Sequence, residues 1–227
     1  MINLAFYSDQ IVPENGAIDD RLLAVIASNG LGPRIGYIPS GPEPDRKFFK
    51  ERRAYYACHG LDLCIFYDLE EMHTENDKAA LFRCDAIHLS GGQTGGFLAR
   101  LKRSGLISDL RMWAADGGLL IGTSAGAIIL TPTIATDALF AGNDPEDFMN
   151  ETALDLVPFE FFPHLSSSPS FLPKLIGYSQ HTARPIFACN DGEGLVVTDE
   201  YIECIGHPLR IANGEARPAD TVPLSAI

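Results

Sequence analysis

The segment LLIGTSAGAII, Leu119 to Ile129, sets Ser124 between Gly122 and Gly126, directly after a run of branched apolar residues. A serine hydroxyl is a poor nucleophile until a neighbouring base accepts its proton, so it needs a rigid, exposed perch and a histidine close in space. Gly-X-Ser-X-Gly after a buried strand supplies the perch: small neighbours let the backbone close into a sharp strand-to-helix turn that lifts the hydroxyl above the sheet edge. The residues that follow can open a helix whose first amides favour a developing negative charge, with the Ala125 amide as one oxyanion donor. The same spacing also suits a purely structural junction. The other candidate groups therefore decide what the serine is for.

A second glycine-rich turn, HLSGGQTGGF from His88 to Phe97, ends another apolar run. In an open parallel sheet such strand ends share one rim, so the Gly92 amide is a second oxyanion donor on this reading. A phosphate cradle is the rival, but GGQTGG lacks the Walker spacing and its lysine. Of six histidines, His59 and His73 fall in helix-to-loop stretches, His88 inside a buried strand, and His181 and His207 in polar or turn contexts. His164 follows FEFFP at a strand end, as Ser124 does, and is the candidate general base. A histidine base needs a carboxylate to hold its tautomer. Glu193 in CNDGEGLVV and Asp137 in IATDALF are the two leading candidates, with Asp191 a third.

These groups must be carried by a scaffold, and the chain shows one. Short branched runs (INLAFY, RIGYIP, LCIFYD, AIHLS, LLIGT) alternate with amphipathic stretches (AIDDRLLAVIAS, DRKFFKERRAYYACHG, NDKAALFRC, GFLARLKRSGL). That alternation predicts an α/β fold, a wound, mainly parallel sheet flanked by helices. The span from Thr131 to Glu151 reads as an irregular excursion able to roof a site. FEFFPH, PIFAC and GEGLVVTD read as further strands, PSFLPKLIGYSQHT as a helix, and Asn213-Gly214 as a hairpin turn. Residues 1–227 read as one domain, with no repeat or long linker.

Composition narrows the classes. Seventeen Lys and Arg against thirty Asp and Glu give a formal charge of -13. No basic stripe is present, which argues against a nucleic-acid partner. No apolar run reaches bilayer length and the start lacks a signal peptide's pattern, so the expectation is a cytoplasmic protein without a membrane partner. Five widely spaced cysteines with no C-x-x-C pair argue against disulfides and zinc and read as buried free thiols. Neither a metal nor another cofactor is expected, and the oligomeric expectation is a monomer or homodimer.

In series, SGGQTGGFLARL, GLLIGTSAGAIILTPTI and ALDLVPFEFFPH resemble the peptidase E family of serine peptidases, over most of the chain. The resemblance implies a fold like that of class I glutamine amidotransferases, with serine in place of cysteine. It implies Ser124 as nucleophile, His164 as base, Gly92 and Ala125 as oxyanion donors, and Glu193 ahead of Asp137 as the third member. The implied substrate is a small peptide, cleaved as an aspartyl dipeptidase would or after related residues. Where family members carry GGGNTF this chain has SGGQTGG, so Gln93 and Gly95 change the rim of the site. The arginine that aspartyl dipeptidases carry after the catalytic histidine has no clear counterpart, and Lys174 is the one positive charge in that region. Two alternatives stay open: a cyanophycinase-like β-aspartyl peptidase, and a silent amidotransferase-like binding scaffold.

Overall fold

The computed structural model describes residues 2–166 and 170–227. The first half winds as expected: β1 (Asn3–Tyr7), α1 (Gly16–Ser28), β2 (Arg34–Ile38), α2 (Lys47–Ala57), β3 (Asp62–Phe66), α3 (Glu75–Phe82), β4 (Ala86–Leu89), α4 (Thr94–Ser104), α5 (Leu106–Ala115), β5 (Leu119–Thr123) and α6 (Ala125–Leu130). The five strands lie parallel in the order β3-β2-β4-β5-β1. The β5 strand, which leads into Ser124, is therefore flanked by β4 and β1.

Strand alternation sorts the core onto two faces. Ala5 and Tyr7 of β1 join the residues of α1 and α2 on one side. Leu4 and Phe6 join α4, α5 and α6 on the other. The stretch GFLARLKRSGL, expected as one helix, is α4 ending at Gly105, whose φ of 75° closes it and starts α5. Leu106, Leu110 and Ala114 are buried along that further helix, a four-residue spacing that marks its inner face.

After α6 the chain makes two 3-10 turns, Ala135–Ala141 and Pro145–Phe148, within the irregular span. Then follow β6 (Glu160–Phe162), α7 (Leu172–Tyr178), β7 (Ile186–Ala188), β8 (Gly194–Thr198), β9 (Tyr201–Ile205), β10 (Leu209–Ala212), β11 (Glu215–Pro218) and β12 (Val222–Pro223). β8 adds antiparallel to β1, and β9 and β12 extend that edge. The remaining strands form a second sheet in the order β11-β10-β7-β6. Asn213 and Gly214 both take positive φ at the β10–β11 hairpin, as a tight two-residue turn requires. Phe159 and Phe161 pack on Phe6, with ring centroids 5.5 and 5.4 Å apart, and so fix the second sheet against the first.

Two junctions position the site. Tyr7 pairs with Gly194, so the loop before β8 arrives at the same sheet edge at which the parallel strands end. Glu160, fully buried, accepts from Thr133 Oγ1 at 3.0 Å and pairs with Arg184 Nη1 at 3.2 Å, which ties the irregular span to the strand that leads into His164. The cysteines are all free, but only Cys84 and Cys189 are buried; Cys64 and Cys204 are half-buried and Cys58 is exposed, because it lies just beyond the end of α2.

Candidate active site

Ser124 sits at φ 50° and ψ -110°, a conformation sparsely populated for a residue with a side chain. Its surroundings impose it. Ser124 N donates to Tyr7 O at 2.9 Å, and Ile128 N donates to Ser124 O at 3.0 Å, so the residue is pinned between β1 and the first turn of α6. A Cβ on Gly126 would stand 2.0 Å from Leu89 O, and one on Gly122 would stand 2.6 Å from the Ala127 backbone. The two glycines are what permits α6 to fold back on β4 and β5 and raise the hydroxyl over the sheet edge.

His164, also at positive φ (55°), follows β6. Its Nε2 lies 2.9 Å from Ser124 Oγ and its Nδ1 lies 2.5 Å from Asp191 Oδ1. An ionised carboxylate can only accept, so Nδ1 carries the hydrogen toward Asp191 and Nε2 is left bare to accept the serine proton. The backbone of the histidine is held as well: its N–H donates to Ser8 Oγ at 2.8 Å. Ser8 Oγ in turn has both Cys189 O and Asp191 Oδ1 at 3.3 Å.

The carboxylate assignment thus differs from the leading expectation. Glu193 turns away from His164 and accepts from Asn190 N (2.8 Å), Asn190 Nδ2 (3.1 Å) and His207 N (3.1 Å), clamping two adjacent turns. Asp137 accepts from Thr94 Oγ1 at 2.5 Å and has no bond to His164. Asp191 takes the place because Gly192, at φ 83°, donates its amide to Asp9 Oδ1 at 2.8 Å and so fixes the turn that carries it. Burial raises the Asp9 carboxyl above the usual range; the Gly192 hydrogen bond opposes that, and the nearby Asp191 charge adds to it.

The two expected oxyanion donors lie beside the serine. Gly92 has φ 143°, and a Cβ there would meet Ser40 Oγ at 2.1 Å, so only glycine fits. A Cβ on Gly91 would meet Ser124 Cβ at 3.5 Å, which measures how closely this turn abuts the nucleophile. Ala125 is the first residue of α6. Ser124, His164, Gly92, Gln93 and Asp137 line one cavity of about 450 Å³, together with apolar walls that include Phe140. Gln93 also caps α4, accepting from Gly96 N at 2.5 Å. The irregular span supplies one wall of that cavity through Asp137, Phe140 and Ala141.

The remaining histidines have other partners. His88 is buried between Tyr56 OH (3.0 Å to Nδ1) and Thr123 Oγ1 (3.2 Å to Nε2), and burial keeps it neutral well below the ordinary histidine range. His59 faces Asp19, His73 stacks on Tyr67, and His181 pairs with Glu146. Lys174 lies with His181 and Glu146 at a different cavity. Among the described residues no group of three or more His, Cys, Asp or Glu is placed to hold a metal ion, and no helix is long and apolar enough to cross a membrane.

Sequence comparison identifies the lineage. A family model for peptidase family S51 matches residues 7–205. The chain belongs to peptidase family S51. This S51 member is 31% identical over 198 residues to the uncharacterised peptidase Lin0382 of Listeria innocua, covering 86% of this chain and 92% of the relative. It is 32% identical over 144 residues to peptidase E of Salmonella gallinarum, covering 62% of this chain and 56% of that protein. In fold, this S51 member superposes on a Listeria monocytogenes EGD-e protein described as a candidate peptidase E (TM-score 0.65, 24% identity, 97% of this chain and 98% of the other). It also superposes on a peptidase from an acI-B1 actinobacterium (TM-score 0.71, 15% identity, 98% and 97% covered). The chain is therefore a serine peptidase of the peptidase E type, with a mostly parallel sheet flanked by helices.

The polar run Ser8-Asp9-Gln10 is the part of the site that motif reading passes over. Its signal is positional: three polar residues follow the first buried strand at the sheet edge where the other site residues gather.

Proposed function

We propose that this chain hydrolyses short peptides through a Ser124–His164–Asp191 triad and a covalent acyl-enzyme. The observation that carries the reading is the continuous pair of contacts, Ser124 Oγ to His164 Nε2 at 2.9 Å and His164 Nδ1 to Asp191 Oδ1 at 2.5 Å. His164 takes the hydroxyl proton as Ser124 Oγ bonds to the scissile carbonyl carbon, and the carbonyl oxygen gains its charge against the Gly92 and Ala125 amides. His164 then returns the proton to the leaving nitrogen as the C–N bond breaks. A water, deprotonated by the same nitrogen, releases the acyl group and restores the serine. Asp191 stays ionised and stabilises the imidazolium.

Substrate size follows from the volume of the site. The cavity of about 450 Å³, with one wall from the 3-10 turn of residues 135–141, has the volume of a small-molecule site and suits a dipeptide. For an aspartyl residue on the acyl side, the side-chain carboxylate needs a cation. Lys174 faces another cavity, whereas Arg52 lines a cavity of about 400 Å³ that shares Gly92 with the serine site. Arg52 spends Nη1 on Gln10 O at 3.1 Å and stacks over Tyr55, so its guanidinium is pre-positioned. We assign acidic side chains to Arg52.

The test is a panel of dipeptides and amino-acyl anilides, α-aspartyl, β-aspartyl and neutral, given to the wild type and to Ser124→Ala. Cleavage lost in the variant, with α-aspartyl substrates preferred, supports the full reading. Cleavage of neutral substrates alone removes the aspartyl part, and β-aspartyl cleavage alone favours the cyanophycinase-like alternative. No cleavage at all contradicts the hydrolase and favours a binding scaffold.

A further inference from the structure

Asp137 lines the same cavity as Ser124 and His164 but serves neither of them. Its carboxylate accepts one hydrogen bond, from Thr94 Oγ1, and Thr94 is itself buried. No basic side chain among the described residues is paired with it. Much of the rest of the cavity wall is apolar, with Ile128, Phe140 and Ala141. A carboxylate held in such a wall is costly unless a cation comes to it. Burial accordingly raises its carboxyl above the ordinary aspartate range, and the Thr94 bond only partly offsets this.

We propose that Asp137 receives the free α-ammonium of the substrate, making the Ser124 site selective for peptides with an uncapped amino terminus. This rests on the hydrolase reading above and names the specificity of the same site. Because Asp137 and Ser124 line one cavity, the covalent structure of a peptide favours its α-ammonium over a lysine or arginine side chain. In the acyl residue the amino nitrogen is only two bonds from the scissile carbonyl carbon, so a cation that reaches Asp137 while its carbonyl faces Ser124 fits within one cavity. A side-chain cation would place its charge several bonds further away. The ammonium supplies N–H donors for the carboxylate, and the pairing neutralises a charge that the apolar wall leaves unsatisfied.

The proposal is tested by binding and by turnover. In Ser124→Ala, calorimetry compares a free dipeptide with its N-acetyl form, and the double variant Ser124→Ala/Asp137→Asn repeats the pair. The expected result is at least tenfold tighter binding of the free dipeptide, with that preference lost in the double variant. Equal binding of both forms by Ser124→Ala, or a preference that survives Asp137→Asn, overturns the proposal. In the Ser124-containing protein, the ratio of kcat/KM for free over N-acetylated amino-acyl anilide should fall at least tenfold on Asp137→Asn. A loss equal for both substrates would instead give Asp137 a part in the chemistry and contradict the proposal. Because the binding arm needs no turnover, failure of the hydrolase reading would show as unlabelled, inactive Ser124 while the amino-terminal preference persisted.

Discussion

Asp191 Oδ1 lies 2.5 Å from His164 Nδ1, while Glu193, two residues further on, gives its carboxylate to the amides of Asn190 and His207. The two acids of one turn therefore have different work, and substitution should separate them. Asp191→Asn should lower kcat by roughly 10³ to 10⁴, because an amide cannot hold the histidine tautomer, and should leave KM close to its original value. Glu193→Gln should act first on stability: a glutamine has one acceptor oxygen for three donors, and each amide left unpaired costs about 1–3 kcal/mol. A chain of this size would then melt about 2–4 °C lower per kcal/mol. Thermal melts beside steady-state kinetics check both, and a kcat collapse in Glu193→Gln with kcat retained in Asp191→Asn would reverse the assignment.

Gly126 makes the nucleophile turn possible by its missing side chain. With a Cβ 2.0 Å from Leu89 O, Gly126→Ala must push α6 away from β4. Overpacking of this kind costs about 1–3 kcal/mol or more, so a melting point several degrees lower is expected, together with loss of activity as Ser124 moves off its perch. Unchanged melting and activity in this variant would mean that the close approach of α6 to β4 is not what holds Ser124.

The half-buried carboxylate of Asp137 should also leave a mark on stability. Its folded pKa is raised, so the native state binds more protons than the unfolded chain between about pH 4 and the raised value. Native stability from this group therefore falls as pH rises through that window. Asp137→Asn keeps an oxygen for Thr94 and carries no charge, so it should melt higher than the wild type at pH 7.5, with the gap closing toward pH 4. Melts of both proteins from pH 4 to 8 check this, and a variant less stable at pH 7.5 would contradict it. A site that improves in stability when disarmed is the expected trade of a binding group for function.

How much of this was legible in the sequence depends on how local each feature is. The Ser124 turn is legible from five residues, because its two glycines mark the close approaches, Gly122 to the start of α6 at Gly126 and Ala127, and Gly126 to Leu89 of β4. His164 is legible from its strand-end position. The choice of Asp191 is not, because it depends on Ser8 and Asp9, more than 180 residues away, holding the turn at Gly192. Motif matching puts Glu193 ahead, and only the pairing of the first strand with β8 brings the turn with Asp191 to the histidine. The α5 helix and strand β9, which lies between β8 and β12, escape a reading of the sequence for opposite reasons. Gly105 marks a helix end that hides an immediate restart, while YIECI, after only a short turn, is too brief a run to stand out from the strand before it.

Labelling with a fluorophosphonate followed by peptide mass mapping, in the wild type and in His164→Ala, tests most directly whether Ser124 is an activated nucleophile. One adduct per chain is expected, on Ser124, formed at least a hundredfold more slowly without the imidazole. No adduct, an adduct on another residue, or labelling that ignores His164 would contradict it.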